Sequence, residues 1–152
     1  MRGLPGSGKS TIAKELAGNL GQCFATDDYW YIEDGSYQFN IDKLKEAHAW
    51  NVRRVEQAIE SELPIIVIDN CNTKLEYLKN YALIIEAALL KDYYVEIIPA
   101  NSLWAFDINE LVLKNTHLVP RETIQKMADE WEEFTIDDIL KEINVVEYEG
   151  EI

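Results

Sequence analysis

The sequence is poor in the features that mark secreted and membrane chains. Its two cysteines, Cys23 and Cys71, are too few for a disulfide framework and lack the spacing of a metal site. No apolar run approaches the ~20 residues that span a bilayer, and no charged-then-apolar leader stands at the N-terminus. Repeats, low-complexity tracts and Pro/Gly/Ser-rich linkers are missing, so the 152 residues read as one domain around one main core. Basic residues are scarce: 14 Lys and Arg stand against 28 Asp and Glu, a net charge of −14, with much of the excess in an acidic segment over 129–152. Such a field repels polyanions and argues against binding of extended nucleic acid through its backbone. A nucleotide or short oligonucleotide in a local basic pocket stays compatible with it. The expected setting is the reducing cytoplasm, away from membranes.

What is present is an alternation of helical stretches and short apolar runs. Residues 11–20 read as a helix stopped by Gly21, and 23–26 as a strand ending in Asp27-Asp28. An aromatic and polar loop (29–40) leads into a long helix over 41–62, closed by Pro64. The β-branched run 65–68 predicts a buried parallel strand ending at Asp69. A helix over 75–91, a strand over 93–98 and helices over 107–115, 121–133 and 135–142 follow, with strand character again at 144–148. This order predicts an α/β fold with a mainly parallel sheet. In such sheets, functional polar residues lie just past the carboxyl ends of strands, where Asp27, Asp28, Asp69, Asn70 and Asn72 stand.

The segment Gly3-Leu4-Pro5-Gly6-Ser7-Gly8-Lys9-Ser10 fits G-x-x-x-x-G-K-[ST] at every fixed position. Glycines let backbone N–H groups approach phosphate oxygens, and the helix that follows aims its N-terminus at the anion. Gly3, Pro5, Gly6, Ser7, Gly8, Lys9, Ser10 and Thr11 therefore form the expected ATP cradle. Lys9 would meet the β- and γ-phosphates, and the Ser10 hydroxyl a Mg²⁺ ion. Asp69, closing an apolar strand, is the second expected Mg²⁺ residue, with a capping or turn role as the alternative. Asp27 is placed to accept the proton of an attacking hydroxyl, against an Asx-turn or helix-cap role. Tyr29, Trp30, Tyr31, Tyr37 and Trp50 offer either a stacking face for a base or packing of the long loop.

Several stretches together resemble one family: RGLPGSGKST (2–11), TDDY (26–29), DGSYQFN (34–40), AHAWN (47–51) and IDNCN (68–72). They resemble the P-loop kinase-like domain of the Nedd-four-binding protein two group, itself similar to phage-type polynucleotide 5′-hydroxyl kinase, in order from Arg2 to about Glu133. The resemblance implies a P-loop NTPase fold of the kinase-type, three-layer kind, and ATP-dependent phosphorylation of a 5′-hydroxyl on a nucleotide or oligonucleotide end. It implies Asp27 as general base and a lid over about 113–121. The family's lid carries two adjacent arginines before the asparagine, where this chain has Leu113 and Lys114, and Trp30 stands where the phage-type enzymes have an arginine. Lys114 with Arg121 is expected to close over the phosphates, and Arg53, Arg54 or His117 are further candidates. His48 and Asn51 belong to a family motif, with a hydrogen-bonded structural role as the simpler reading.

In this fold the glycine loop hangs from a central first strand, which needs about five residues. Met1 and Arg2 stand before Gly3. The expectation is therefore a slot between the strands ending at Asp69 and Ile98, lacking its native strand or filled by 144–148 or by another chain in an oligomer. Two rivals to the kinase reading are a non-catalytic ATP-binding module that recruits partners and a small-molecule kinase.

Overall fold

The computed structural model describes the backbone of residues 1–32 and 34–150 and the side chains of 1–32 and 34–143. Helix α1 (Lys9–Ala17) begins two residues before the predicted start, because Gly8 at φ 89° caps it directly. It ends at Gly18, whose amide closes on the Lys14 carbonyl, three residues short of the predicted stop. Gly21 instead opens strand β1 (Gly21–Phe24), where a Cβ would lie 2.5 Å from the Ile65 carbonyl oxygen. The predicted strand at 23–26 is thus shifted back, and Thr26 starts a 3₁₀ turn over Thr26–Tyr31.

Another 3₁₀ turn, Ile41–Lys43, precedes helix α2 (Leu44–Glu60), and strand β2 (Ile65–Ile68) falls on the predicted residues. The predicted helix over 75–91 divides into a 3₁₀ segment, Leu75–Tyr81, and helix α3 (Ala82–Leu90). Helix α4 (Ile108–Lys114) is N-capped by Asp107, whose side chain accepts from the Glu110 amide. Helices α5 (Arg121–Asp129) and α6 (Ile136–Gly150) complete the chain. The strand expected at 144–148 is overturned: these residues continue α6, which buries Ile139 and Ile143 one helical turn apart.

Strands β1 and β2 pair in parallel, from Gly21 opposite Ile65 to Phe24 opposite Ile68. Parallel strands are covered on both faces. Phe24, Ile66 and Ile68 pack with Val55, Ile59, Ile85 and Ile139 from α2, α3 and α6, whereas Cys23, Ile65 and Val67 meet Ala13 and Ala17 of α1. A separate apolar cluster of Leu4, Leu111 and Ile124, with Trp104 and Trp131 against it, seats the α4–α5 pair beside the glycine loop.

The chain start lies on the far edge of β2. The Met1 ammonium donates to the Ile68 carbonyl (2.8 Å), the Arg2 amide to Ile98 (2.9 Å), and the Ala100 amide to Arg2 (2.7 Å). Arg2 and Pro99 form one parallel bridge. The strand predicted over 93–98 is not formed, because Met1–Gly3 pair with that segment only at its end. Between β2 and residues 93–98 a cavity of about 380 Å³ remains, lined by Ile66, Ile68, Val95 and Ile97 and floored by apolar side chains of the helices.

Candidate phosphate-binding site

The loop 3–8 earns its shape from two left-handed glycines, Gly6 (φ 84°) and Gly8 (φ 89°). At Gly6 a Cβ would meet the Leu111 carbonyl at 2.6 Å and the Asn115 amide at 2.9 Å, so the end of α4 rests directly on this backbone. Leu4 is fully buried and anchors the loop from below. Among the described residues, the amides of Gly6, Gly8, Lys9, Ser10 and Thr11 donate to no protein acceptor. Five unused donors at the N-terminus of a nine-residue helix make an anion cradle, reinforced by the helix dipole.

Two side chains that sequence reasoning did not single out fix the carbonyl side of this loop. Trp104 Nε1 donates to the Gly6 carbonyl (3.0 Å) and Ser102 Oγ to the Ser7 carbonyl (2.8 Å). Occupying those carbonyls leaves the amides of the loop to the other side. No local signal marks these residues, which lie more than ninety positions away along the chain.

Lys9 sits among Cys71, Asp69 and Asp27. Burial works to lower its ammonium, but these three neighbours outweigh burial and hold it above its ordinary value. The lysine is therefore a fixed cation. Burial pushes the Cys71 thiol up, against the opposing pull of Lys9. Asp69 is buried, and its Oδ1 has no hydrogen-bond partner. A carboxylate oxygen left unpaired in the interior is costly unless a cation or donor meets it. Ser10, in the first turn of α1, is exposed. Among the described residues no group of three or more His, Cys, Asp or Glu could hold a metal unaided. The set fits a hard cation shared with phosphate oxygens rather than a caged one.

Asp27 is half-exposed and clamped from two sides, by Trp30 Nε1 on Oδ1 (3.2 Å) and by His117 Nε2 near Oδ2 (3.7 Å). The turn that carries it is fastened to the end of β2: the Thr26 amide donates to Asn70 Oδ1 (2.9 Å). Thr26 Oγ1 lies 3.3 Å from His48 Nδ1, and buried Asn51 donates to the Phe24 carbonyl and to the Tyr81 hydroxyl. His48 and Asn51 thus brace the turn. Asn72, at φ 49°, donates to the Met1 carbonyl and so pins the chain start.

The expected lid residues are placed differently from one another. Lys114 lies with Nζ 4.5 Å from the Trp104 ring centre and 4.0 Å from Glu110, beside the loop that Trp104 holds. Arg121 is turned to Asn109 Oδ1 (2.9 Å) on the exposed side of the α4–α5 pair. Arg54 is drawn to Asp28 (3.3 Å) and stacks on Trp50. The structure brings His117, not Arg121, against Asp27. Trp30 is buried edge to face between Tyr29 (5.3 Å) and Phe39 (5.0 Å), so it packs the loop while its Nε1 holds Asp27.

A family model described as AAA domain matches residues 1–88, more than half of the chain. NEDD4-binding protein 2 of Homo sapiens is 36% identical over 149 residues, covering 97% of this chain, which spans 8% of that protein's length. No solved structure matches.

Proposed function

From the premise that the chain belongs to the AAA-domain family, and is a nucleotide-binding P-loop protein, we propose that it binds ATP with Mg²⁺ and transfers the γ-phosphoryl to a hydroxyl, the 5′-hydroxyl of a nucleotide or oligonucleotide end. The fold reading that goes with this is the three-layer, kinase-type arrangement. The observation that carries the proposal is the joint placement of five unused amides, the Lys9 cation, the orphaned Asp69 oxygen and a half-exposed Asp27. In this reading the amides and Lys9 hold the phosphates, and Ser10 and Asp69 hold Mg²⁺, which supplies charge neutralisation on the transferring group. Asp27, oriented by Trp30, accepts the proton of the attacking hydroxyl. Lys114 stands beside the cradle as a single-point cation in place of the lid arginines, and Arg121 would have to leave Asn109 to contribute. The net charge of −14 favours a short acceptor over an extended polymer.

The test is transfer from γ-labelled ATP to 5′-hydroxyl oligonucleotides, nucleosides and small metabolites, with Lys9→Ala and Asp27→Asn as controls. Label on the oligonucleotide that falls at least about a hundredfold in Asp27→Asn supports the reading. A second reading, a nucleotide-binding module without transfer, is favoured by the engagement of Arg54 and Arg121 with other side chains. It predicts ATP binding with no label on any acceptor.

A further inference from the structure

Asp27 is reached by two residues from different parts of the chain. Trp30 stands on the same turn and donates Nε1 to Oδ1 (3.2 Å). His117 comes from the loop between α4 and α5 and places Nε2 3.7 Å from Oδ2. That separation is longer than a hydrogen bond, so Oδ2 keeps its capacity to accept a proton while Oδ1 is taken. The imidazole is itself seated. Its ring lies 4.6 Å from the Tyr37 ring at 36°, and Tyr37 leans on Tyr31 at 5.5 Å. Burial, and after it the Asp27 carboxylate, push the Tyr37 hydroxyl up to about 12, so this support is a neutral ring.

The loop that carries His117 is closed by Asn115. Its Nδ2 donates to the Leu111 (3.3 Å) and Val112 (3.1 Å) carbonyls, and its Oδ1 accepts from the Val119 amide (2.8 Å). The backbone of the same asparagine lies against Gly6, where an added Cβ would sit 2.9 Å from its amide nitrogen. One residue thus joins the phosphate cradle to the loop whose side chain faces Asp27. We propose that His117 is a positioning residue for Asp27, holding the carboxylate with Oδ2 toward the acceptor hydroxyl, and that Asn115 sets its place relative to the cradle. This role rests on the phosphotransfer reading. In that step the acceptor oxygen bonds to the γ-phosphorus, and the bond from that phosphorus to the β–γ bridging oxygen breaks as ADP leaves. The hydroxyl proton passes to Oδ2. His117 exchanges no proton; it fixes the direction from which Oδ2 receives one.

The experiment uses the full chain with His117→Phe, which keeps a ring on Tyr37 and removes Nε2, and with His117→Gln, whose side-chain amide restores a donor. Transfer from γ-labelled ATP to a 5′-hydroxyl oligonucleotide gives kcat and acceptor KM, and calorimetry gives ATP affinity. The imidazole nitrogen resonances of His117 are compared between wild type and Asp27→Asn. The expected result is a kcat lowered at least about tenfold in His117→Phe, with KM and ATP affinity within about twofold of wild type, and recovery in His117→Gln to within about threefold. The His117 resonances are expected to move in Asp27→Asn. With transfer by the wild type intact, the proposal is overturned by unchanged kcat in His117→Phe, by a loss confined to KM or ATP affinity, or by no recovery in His117→Gln. Resonances indifferent to Asp27→Asn also overturn it, and they decide the matter if His117→Phe fails to fold. No label from the wild type on any acceptor overturns the phosphotransfer reading and this role with it.

Discussion

Asp69 Oδ1 is buried without a partner, and a carboxylate in that position weakens the native state while serving whatever cation meets it. Asp69→Asn keeps the shape and removes the charge. The apo protein is expected to melt at the same temperature or higher, while Mg²⁺-dependent ATP affinity falls at least tenfold, about 1.4 kcal/mol. A thermal melt and a titration on the same variant check both halves, and a destabilised variant with unchanged affinity contradicts the assignment. His48 gives a second expectation. Burial lowers its imidazole below 6.5 against the opposing pull of Asp27, so the unfolded chain binds the proton more readily there. Its contribution is complete above 6.5 and is lost as pH falls through the lowered native value. His48→Gln is expected to flatten that part of a urea-stability curve against pH.

Among the elements, the contact between α4 and the glycine loop is the one on which the site's geometry rests. Gly6→Ala forces a left-handed alanine whose Cβ collides with the Leu111 carbonyl and the Asn115 amide. Loss of nucleotide binding and a stability loss of about 1–3 kcal/mol are expected from denaturation and titration. Trp104→Phe keeps the ring and removes the N–H to Gly6, for an expected five- to tenfold loss of affinity, about 1 kcal/mol. The glycine pattern was legible because each of its residues is needed locally. Strand β2 was legible because four β-branched residues end at an aspartate. Trp104 and Ser102 were not, since their bonds to the loop cross 98 and 95 residues of chain. Residues 144–148 misled for a related reason: Val145 and Val146 favour a strand locally, but their place on the helix that buries Ile139 and Ile143 decides. The segment 93–98 has strand composition and lacks a partner along most of its length, and pairing, not propensity, makes a strand.

Across the whole molecule, Arg2 ties the chain start to the region beyond α5. Its buried guanidinium donates to the Asn72, Thr73 and Glu132 carbonyls and lies between the Trp131 (4.2 Å) and Phe134 (4.0 Å) rings. Arg2→Met would leave those carbonyls unmet, for an expected cost of about 3–5 kcal/mol in urea unfolding. The cradle, the turn bearing Asp27 and the end of β2 are held in one piece by such crossings. In the proposed reading the preorganised amides of the loop set the frame in which Lys9, Asp69 and Asp27 act.

The most direct test is a calorimetric titration of the wild-type chain and Lys9→Ala with ATP in the presence and absence of Mg²⁺. The expected result is one site with affinity on the order of 1–100 μM, weakened by Mg²⁺ removal and by at least about tenfold in Lys9→Ala. Absence of uptake by the folded wild-type protein, or equal uptake by the variant, contradicts the account.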